Sequence, residues 1–339
     1  LVTAGRASGT LLTEITEKLG NPTTLFCIPK GFYPPRRSEK YAVQGHKTAS
    51  HLGPRSCGQD QKNPVGSKQM SNESDTLRHR LIVFSDLDGT LLDHETYSFS
   101  AAQSALQALK RKNVALVLAS SKTSHEMQSL AQDLPPDVPA LIVENGAGVV
   151  WRGQDAAPST RHAALMEALN ALPPALRNGF EGFTDWGPEG VARETGLPPE
   201  QAALAAQREY SEPGLWRGDA AQREAFVAAL AEAGITARQG GRYLTLSFGA
   251  DKADRMREVV DKIAPQATVM ALGDAPNDIG MLEAADTGII IANPHGPGID
   301  TLPGESSGKI RRTTVSGPTG WNEAVLEMID KMATHRPRD

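Results

Sequence analysis

Cysteine is scarce: Cys27 and Cys57 are the two among 339 residues, so the chain beyond residue 57 can hold no disulfide, no zinc–cysteine cluster and no cysteine nucleophile. That usage fits a reducing compartment, and we expect the cytoplasm. Aromatic residues make up only 5%, and no run of about 18 apolar residues is present to span a bilayer. A membrane is therefore not an expected partner. Three chemistry-bearing patterns are also missing: Gly-x-x-x-x-Gly-Lys-[Ser/Thr], His-Glu-x-x-His and Gly-x-Ser-x-Gly. Their absence removes the P-loop nucleotide hydrolases, the zincin proteases and the strand-to-helix nucleophile elbow. What is present is an ordinary globular composition, 39% hydrophobic and 22% charged, on a chain with room for about two domains.

Charge divides the chain. Residues 1–69 carry ten Lys/Arg and four Asp/Glu, which leaves the remainder at −11 against a net −5 for the whole. An acidic body without a basic stripe argues against a nucleic-acid partner. The leading segment shows little periodicity beyond Leu11 to Leu19 and is rich in Gly, Pro, Ser and Gln, so residues 1–79 read as a disordered extension. The chain opens on Leu1, and Met70 opens a polar stretch just before the first apolar run. We therefore expect residues 1–69 to be an upstream extension of the reading frame.

From residue 80 the pattern turns regular. Leu81-Ile82-Val83-Phe84 is a continuous apolar run ending at Ser85-Asp86, the mark of a strand covered on both faces. A helix follows at Ala101 to Lys112, then a second run at Val114 to Ala119, a helix at Ser124 to Asp133, and a third run at Ala140 to Val143. Asn145-Gly146 then turns the chain into Val149-Val150-Trp151. The alternation resumes with helix Asp251 to Ile263, strand Thr268 to Leu272, helix Asn277 to Ala285, strand Gly288 to Ile291 and a last helix near Trp321 to Met332. The expected fold is α/β, with a Rossmann-like parallel-sheet core over 80–153 and 241–339. Residues 154–240, rich in Ala, Pro, Gly and Glu, read as an inserted α+β cap domain. Its hinges are expected at Arg152-Gly153 and Gly240-Gly241.

Chemistry begins at Asp86-Leu87-Asp88-Gly89-Thr90. An Asp-x-Asp-Gly run can be a solvated turn; a calcium loop counted from Asp86 would need Gly and Glu where Leu91 and Tyr97 stand. Three further segments decide between a turn and a site. Ser120-Ser121 ends the second strand, Lys252 opens the helix after the insert, and Gly273-Asp274-Ala275-Pro276-Asn277-Asp278 ends a later strand. All lie on the rim where open parallel sheets bind ligands. Together they offer a nucleophilic carboxylate, a second carboxylate for proton transfer, a hydroxyl and an ammonium for phosphate, and oxygen donors for a hard cation.

These four ordered motifs, over about residues 80–333, resemble the haloacid dehalogenase superfamily of aspartate-nucleophile phosphatases, in particular the members with an inserted α+β cap (type IIB, Cof-like). The resemblance implies that Asp86 attacks phosphorus, that Asp88 serves as acid and base, and that Ser120 and Lys252 bind phosphoryl oxygens. It also implies Mg²⁺ held by Asp86, Asp88 through its carbonyl, and Asp274, with Asp278 supporting. Arg208-Glu209-Tyr210-Ser211-Glu212-Pro213, Ser120-Ser121-Lys122-Thr123, Glu144-Asn145-Gly146 and Gly240-Gly241-Arg242-Tyr243 are similar to the mannosyl-3-phosphoglycerate phosphatase family. That likeness implies a small phosphorylated sugar as partner, with Ser121, Lys122, Asn145, Ser211, Glu212, Arg242 and Asn277 as substrate-binding candidates. Arg242 is the candidate for a glycerate carboxylate, and Ser211 and Glu212 are the candidates for sugar hydroxyls. A Cof-like or sucrose-phosphate-like substrate, and a non-catalytic phosphosugar-binding module, stand as alternatives.

Overall fold

The computed structural model describes residues 77–153 and 159–334; the expectations for Cys27, Cys57, Met70 and the rest of residues 1–76 lie outside the described residues. Seven strands build the core sheet: β1 (Leu81–Ser85), β2 (Ala115–Ala119), β3 (Ala140–Val143), β4 (Gly148–Trp151), β9 (Thr268–Gly273), β10 (Thr287–Ala292) and β11 (Ile310–Ser316). Four more, β5 (Phe180–Gly182), β6 (Ser211–Trp216), β7 (Thr236–Gly240) and β8 (Tyr243–Ser247), form a separate cap sheet. The core order is β11-β10-β9-β1-β2-β3-β4, parallel throughout except for the antiparallel β3–β4 pair.

The continuous apolar runs have their reason in this order. In β1, Leu81 and Val83 face one layer with Leu106, Leu116 and Trp321, while Ile82 and Phe84 face the other with Met256, Val259 and Met281. A strand covered on both faces has no side for polar residues, and burying a side chain the size of Phe84 contributes about 2–3 kcal/mol. The first layer holds helices Gln103–Lys112 and Gly317–Thr334 and the second holds Lys252–Ile263 and Ile279–Ala284. Leu77, expected in the leading extension, is 3% exposed and donates its N–H to the Lys112 carbonyl at 2.7 Å, so the packed core starts ahead of residue 80.

The cap sheet runs β5-β6-β8-β7, antiparallel throughout. Phe180, Leu244 and Leu246 pack against Leu165, Leu169, Phe226 and Leu230 of helices Arg161–Asn170 and Ala220–Glu232. The cap continues past the expected boundary at residue 240, because β8 pairs with both β6 and β7. Gly240-Gly241 is accordingly not a hinge. It lies at the tip of the β7–β8 hairpin, where Gly240 pairs with Tyr243 and Gly241 takes φ +53°, the positive value that two-residue hairpin turns demand. Strand β5, helix Phe183–Thr195 and strand β11 were not anticipated; β5 is three residues long and the helix carries a break at Gly187-Pro188.

Candidate active site at the carboxyl edge of the core sheet

The sheet reverses its winding direction between β1 and β9, and crevices at such points collect ligands beyond the strands' carboxyl ends. Asp86 follows β1 there, its N–H bonded to the Leu272 carbonyl of β9 at 2.9 Å. Behind it, the buried Trp321 indole donates to Ser85 Oγ at 2.9 Å, and that hydroxyl donates to the Asp86 carbonyl at 2.6 Å. Position is thus set by the neighbouring strand and by the helix layer on one face of the sheet.

Lys252, 1% exposed, is the first residue of its helix, behind the N-cap Asp251, whose carboxylate accepts the Asp254 N–H at 2.9 Å. Its ammonium lies 2.6 Å from Asp86 Oδ1 and 2.7 Å from Asp278 Oδ1. The second oxygen of Asp278 accepts the N–H groups of Asp274 and Ala275, both at 3.1 Å. Asp274 is held by Thr90 Oγ1 and Asn293 Nδ2, each at 2.7 Å. Sequence reading missed Thr90 and Asn293 in this role, although Thr90 stands inside the Asp-x-Asp-Gly-Thr run and Asn293 directly follows β10 on the same rim.

Electrostatics follow from burial. Desolvation raises the Asp86 carboxyl well above the usual carboxylate range; Lys252 opposes this, while Asp278, Asp274 and Asp88 add to it. Burial likewise raises Asp274, against the hydrogen bonds from Asn293 and Thr90. For Lys252 burial works against the charge, but Asp278 and Asp86 outweigh it and the ammonium is stabilised.

Asp86, Asp274 and Asp278 each place a carboxylate oxygen within 4.8 Å of the others. Three buried carboxylates face one ammonium, and hard oxygen donors carrying excess negative charge are what a small divalent cation requires. The residues fit such an ion. Asp278 has both oxygens engaged by Lys252 and backbone N–H groups, so it orients the others.

Asp88 pairs through Oδ2 with Lys122 Nζ at 3.0 Å, leaving Oδ1 buried with no hydrogen-bond partner. Burial opposes the Lys122 charge, but Asp88 and Glu126 overcome it and raise the pKa. Ser120 is 1% exposed, and its Oγ accepts the Lys122 N–H at 3.3 Å just ahead of helix Ser124–Asp133. A helix start offers N–H groups to an anion. Asn277 Nδ2 donates to Asn145 Oδ1 at 3.0 Å, so these two candidates from separate loops meet. Ser121 is exposed on the same turn, its carbonyl facing the Arg208 guanidinium at 3.5 Å.

The cap candidates fare differently. Glu212 pairs with Leu246 across the sheet and shares its covered face, where it is 0% exposed and bonded to His162 Nε2 at 2.8 Å, Thr184 N–H at 2.7 Å and Thr184 Oγ1 at 2.9 Å. Ser211, on the opposite face, donates its hydroxyl to Glu144 Oε2 at 2.7 Å. Arg242 sits at the hairpin tip, at the end of β8 away from Lys252, and donates to the Glu194 carbonyl. The structure therefore leaves Arg242 and Glu212 apart from the acidic cluster; Arg208 is the cap arginine that reaches the Ser120-Ser121 turn.

Residues 83–167 and 219–296 match the family model of haloacid dehalogenase-like hydrolases. A phosphatase of the haloalkanoate dehalogenase superfamily from Bacteroides thetaiotaomicron shares the fold with a TM-score of 0.50 and 19% identity, over 79% of this chain and 98% of that one. A hypothetical protein from Geobacillus kaustophilus does so with a TM-score of 0.52 and 20% identity, over 74% of this chain and 99% of that one. Among the described residues no helix is long and apolar enough to cross a membrane. Asp86, Lys252, Asp274 and Asp278 all lie within the two matched stretches, so the segments that build this rim are similar to a haloacid dehalogenase-like hydrolase.

Proposed function

We propose that the chain hydrolyses a phosphate monoester of a sugar through an aspartyl-phosphate intermediate. The observation that carries this reading is the buried Asp86 carboxylate, 2.6 Å from Lys252 and flanked by Asp274 and Asp278 at the end of the central strand. A phosphate monoester is a dianion, and a carboxylate approaches it only when cations offset the repulsion. Asp86, Asp274 and the Asp88 carbonyl would hold Mg²⁺, which when bound supplies that offset and polarises a phosphoryl oxygen. Lys252 supplies the fixed positive charge.

In the first step an Asp86 oxygen forms a bond to phosphorus, the ester P–O bond breaks, and the departing alkoxide takes a proton from Asp88. In the second, Asp88 takes a proton from water as that water attacks phosphorus, and the acyl phosphate P–O bond breaks to return Asp86 and release inorganic phosphate. Ser120 and the start of its helix bind the equatorial oxygens, where the charge of a loose transition state resides. Lys122 orients Asp88 by holding its Oδ2, which leaves Oδ1 to carry the proton.

For the substrate we propose mannosyl-3-phosphoglycerate or a related glycosyl-3-phosphoglycerate, on the strength of the Arg208–Pro213, Ser120–Thr123 and Glu144–Gly146 segments. One observation favours a second reading. Arg242 and Glu212 are spent elsewhere in the cap, which suits a Cof-like or sucrose-phosphate-like substrate that lacks the glycerate carboxylate. Phosphate release from a panel of monoesters, including mannosyl- and glucosyl-3-phosphoglycerate, with and without Mg²⁺, separates the readings. Mg²⁺-dependent release is expected. No release from any member would leave a binding module in place of the enzyme.

A further inference from the structure

The turn Glu144-Asn145-Gly146 touches the phosphate-side loop, the Asn277 loop, the start of the Lys252 helix and the cap. Its backbone carries the phosphate-side loop, for the Glu144 N–H donates to the Lys122 carbonyl and the Asn145 N–H to the Ser120 carbonyl, both at 2.9 Å. Asn145 accepts from Asn277. Gly146 lies so close to the Asp251–Lys252 main chain that a first side-chain carbon would collide with it, and its carbonyl accepts Arg255 Nε at 3.1 Å. Glu144 and Asn145 take φ of 53° and 58°, a left-handed conformation disfavoured in residues with a Cβ and retained where surrounding contacts over-determine it.

The Glu144 carboxylate, with a side chain 0% exposed, directly follows core strand β3 yet finds its partners in the cap. It accepts the N–H groups of Glu209 at 2.8 Å, Tyr210 at 3.2 Å and Ser211 at 2.7 Å, and the Ser211 hydroxyl at 2.7 Å. Arg208 Nε stands 3.3 Å away as its counter-charge, buried without a well-formed hydrogen bond, while the far end of the guanidinium meets Ser211 Oγ at 2.9 Å and the Ser121 carbonyl at 3.5 Å. The neighbouring seam repeats the pattern: Ser124 Oγ donates to Glu209 Oε2 at 2.5 Å, and Thr123 Oγ1 to the Leu204 carbonyl at 3.1 Å.

We infer that Glu144 is a positioning residue for substrate recognition: it seats the Arg208–Ser211 corner of the cap on the phosphate-side loop and keeps the Arg208 guanidinium beside Ser121. Recognition of the substrate beyond its phosphate then depends on a core carboxylate that touches no substrate. This rests on the phosphatase reading, and the test reads the two separately.

In the full chain, Glu144→Gln is expected to speed amide exchange at residues 209–211 about tenfold, measured by mass spectrometry without substrate. It is also expected to lower kcat/KM for mannosyl-3-phosphoglycerate about tenfold relative to para-nitrophenyl phosphate, chiefly through KM. Unchanged exchange, or an equal fall for both substrates, overturns the inference. Where Glu144→Gln does not fold, Ser211→Ala gives the same two readouts while keeping the carboxylate and the backbone N–H groups, each about threefold in size; neither moving overturns it equally. Wild type inactive on both substrates would sink the phosphatase reading, and the exchange rates would still decide whether Glu144 seats the cap.

Discussion

In the core, Asp86, Lys252, Asp274 and Asp278 come from three separated stretches and close on one another, three carboxylates against one ammonium. In the cap, Glu212 is closed by His162 and Thr184, and Arg242 by the Glu194 carbonyl. One cluster keeps an excess of charge; the other groups satisfy each other locally. Reactivity resides in the first cluster, because an uncompensated buried charge invites a ligand while a completed hydrogen-bond set resists one.

The most severe way to break this contrast is Asp86→Asn. We expect phosphate release to fall by about 10⁴ or more, since no covalent intermediate can form; metal-dependent turnover surviving in that variant would remove Asp86 from the nucleophile's role. Glu212→Gln should instead lower the melting temperature of the protein, as a buried carboxylate with three donors is lost, with kcat/KM changing less than about tenfold.

A finer probe of the core is Asn293→Ala, which removes one of the two donors holding Asp274. Supports of this kind shift metal affinity about 10–100-fold. Titration of Mg²⁺ by calorimetry should show that weakening; an unaltered isotherm would mean that Asp274 needs no such hold.

Acidity offers a further measurement. Asp86 and Asp274 have carboxyls raised above their ordinary range, chiefly by burial, so the folded protein binds more protons than the unfolded chain. Stability without metal therefore falls as pH rises from the unfolded carboxylate value toward the folded ones. Mg²⁺ competes with those protons, and its stabilisation grows along the same interval. The melting temperature should thus rise more on adding Mg²⁺ at about pH 7.5 than at about pH 5; equal rises would place the cation elsewhere.

The smallest effect is expected of Arg242→Ala, under about threefold in kcat/KM, as befits a guanidinium bonded at an exposed hairpin tip. A tenfold loss would show that the tip folds over the cleft when substrate is present.

How much could be read from residues alone divides along the same line. Leu81–Phe84 ends at Asp86, and Thr268–Leu272 ends ahead of Asp274, so apolar runs that stop at acids mark the rim without any knowledge of packing. Lys252 was legible as the residue that opens the helix after the insert. The cap was not. Gly240-Gly241 has the composition of a hinge and of a hairpin tip alike, and only the pairing of Tyr243–Ser247 with Ser211–Gly214 decides between them. Glu212 and Ser211 are neighbours in sequence, yet strand alternation sends one under the helices and the other toward the core. Asn293 escaped notice because a lone Asn after a strand carries no pattern of its own; its meaning comes from Asp274 across the rim.

The placement of β1 between β2 and β9 has a consequence for how the protein is made. On the ribosome, residues 81–85 emerge long before 268–272, with the whole cap synthesised in between. Until β9 arrives, the strand that ends in Asp86 presents an unpaired hydrophobic edge to the cell, the state from which aggregation begins. Folding speed is limited by that wait, because such distant pairing cannot form early. Chaperone dependence should accordingly be strongest for nascent chains that have completed the cap but not yet reached the second half of the sheet.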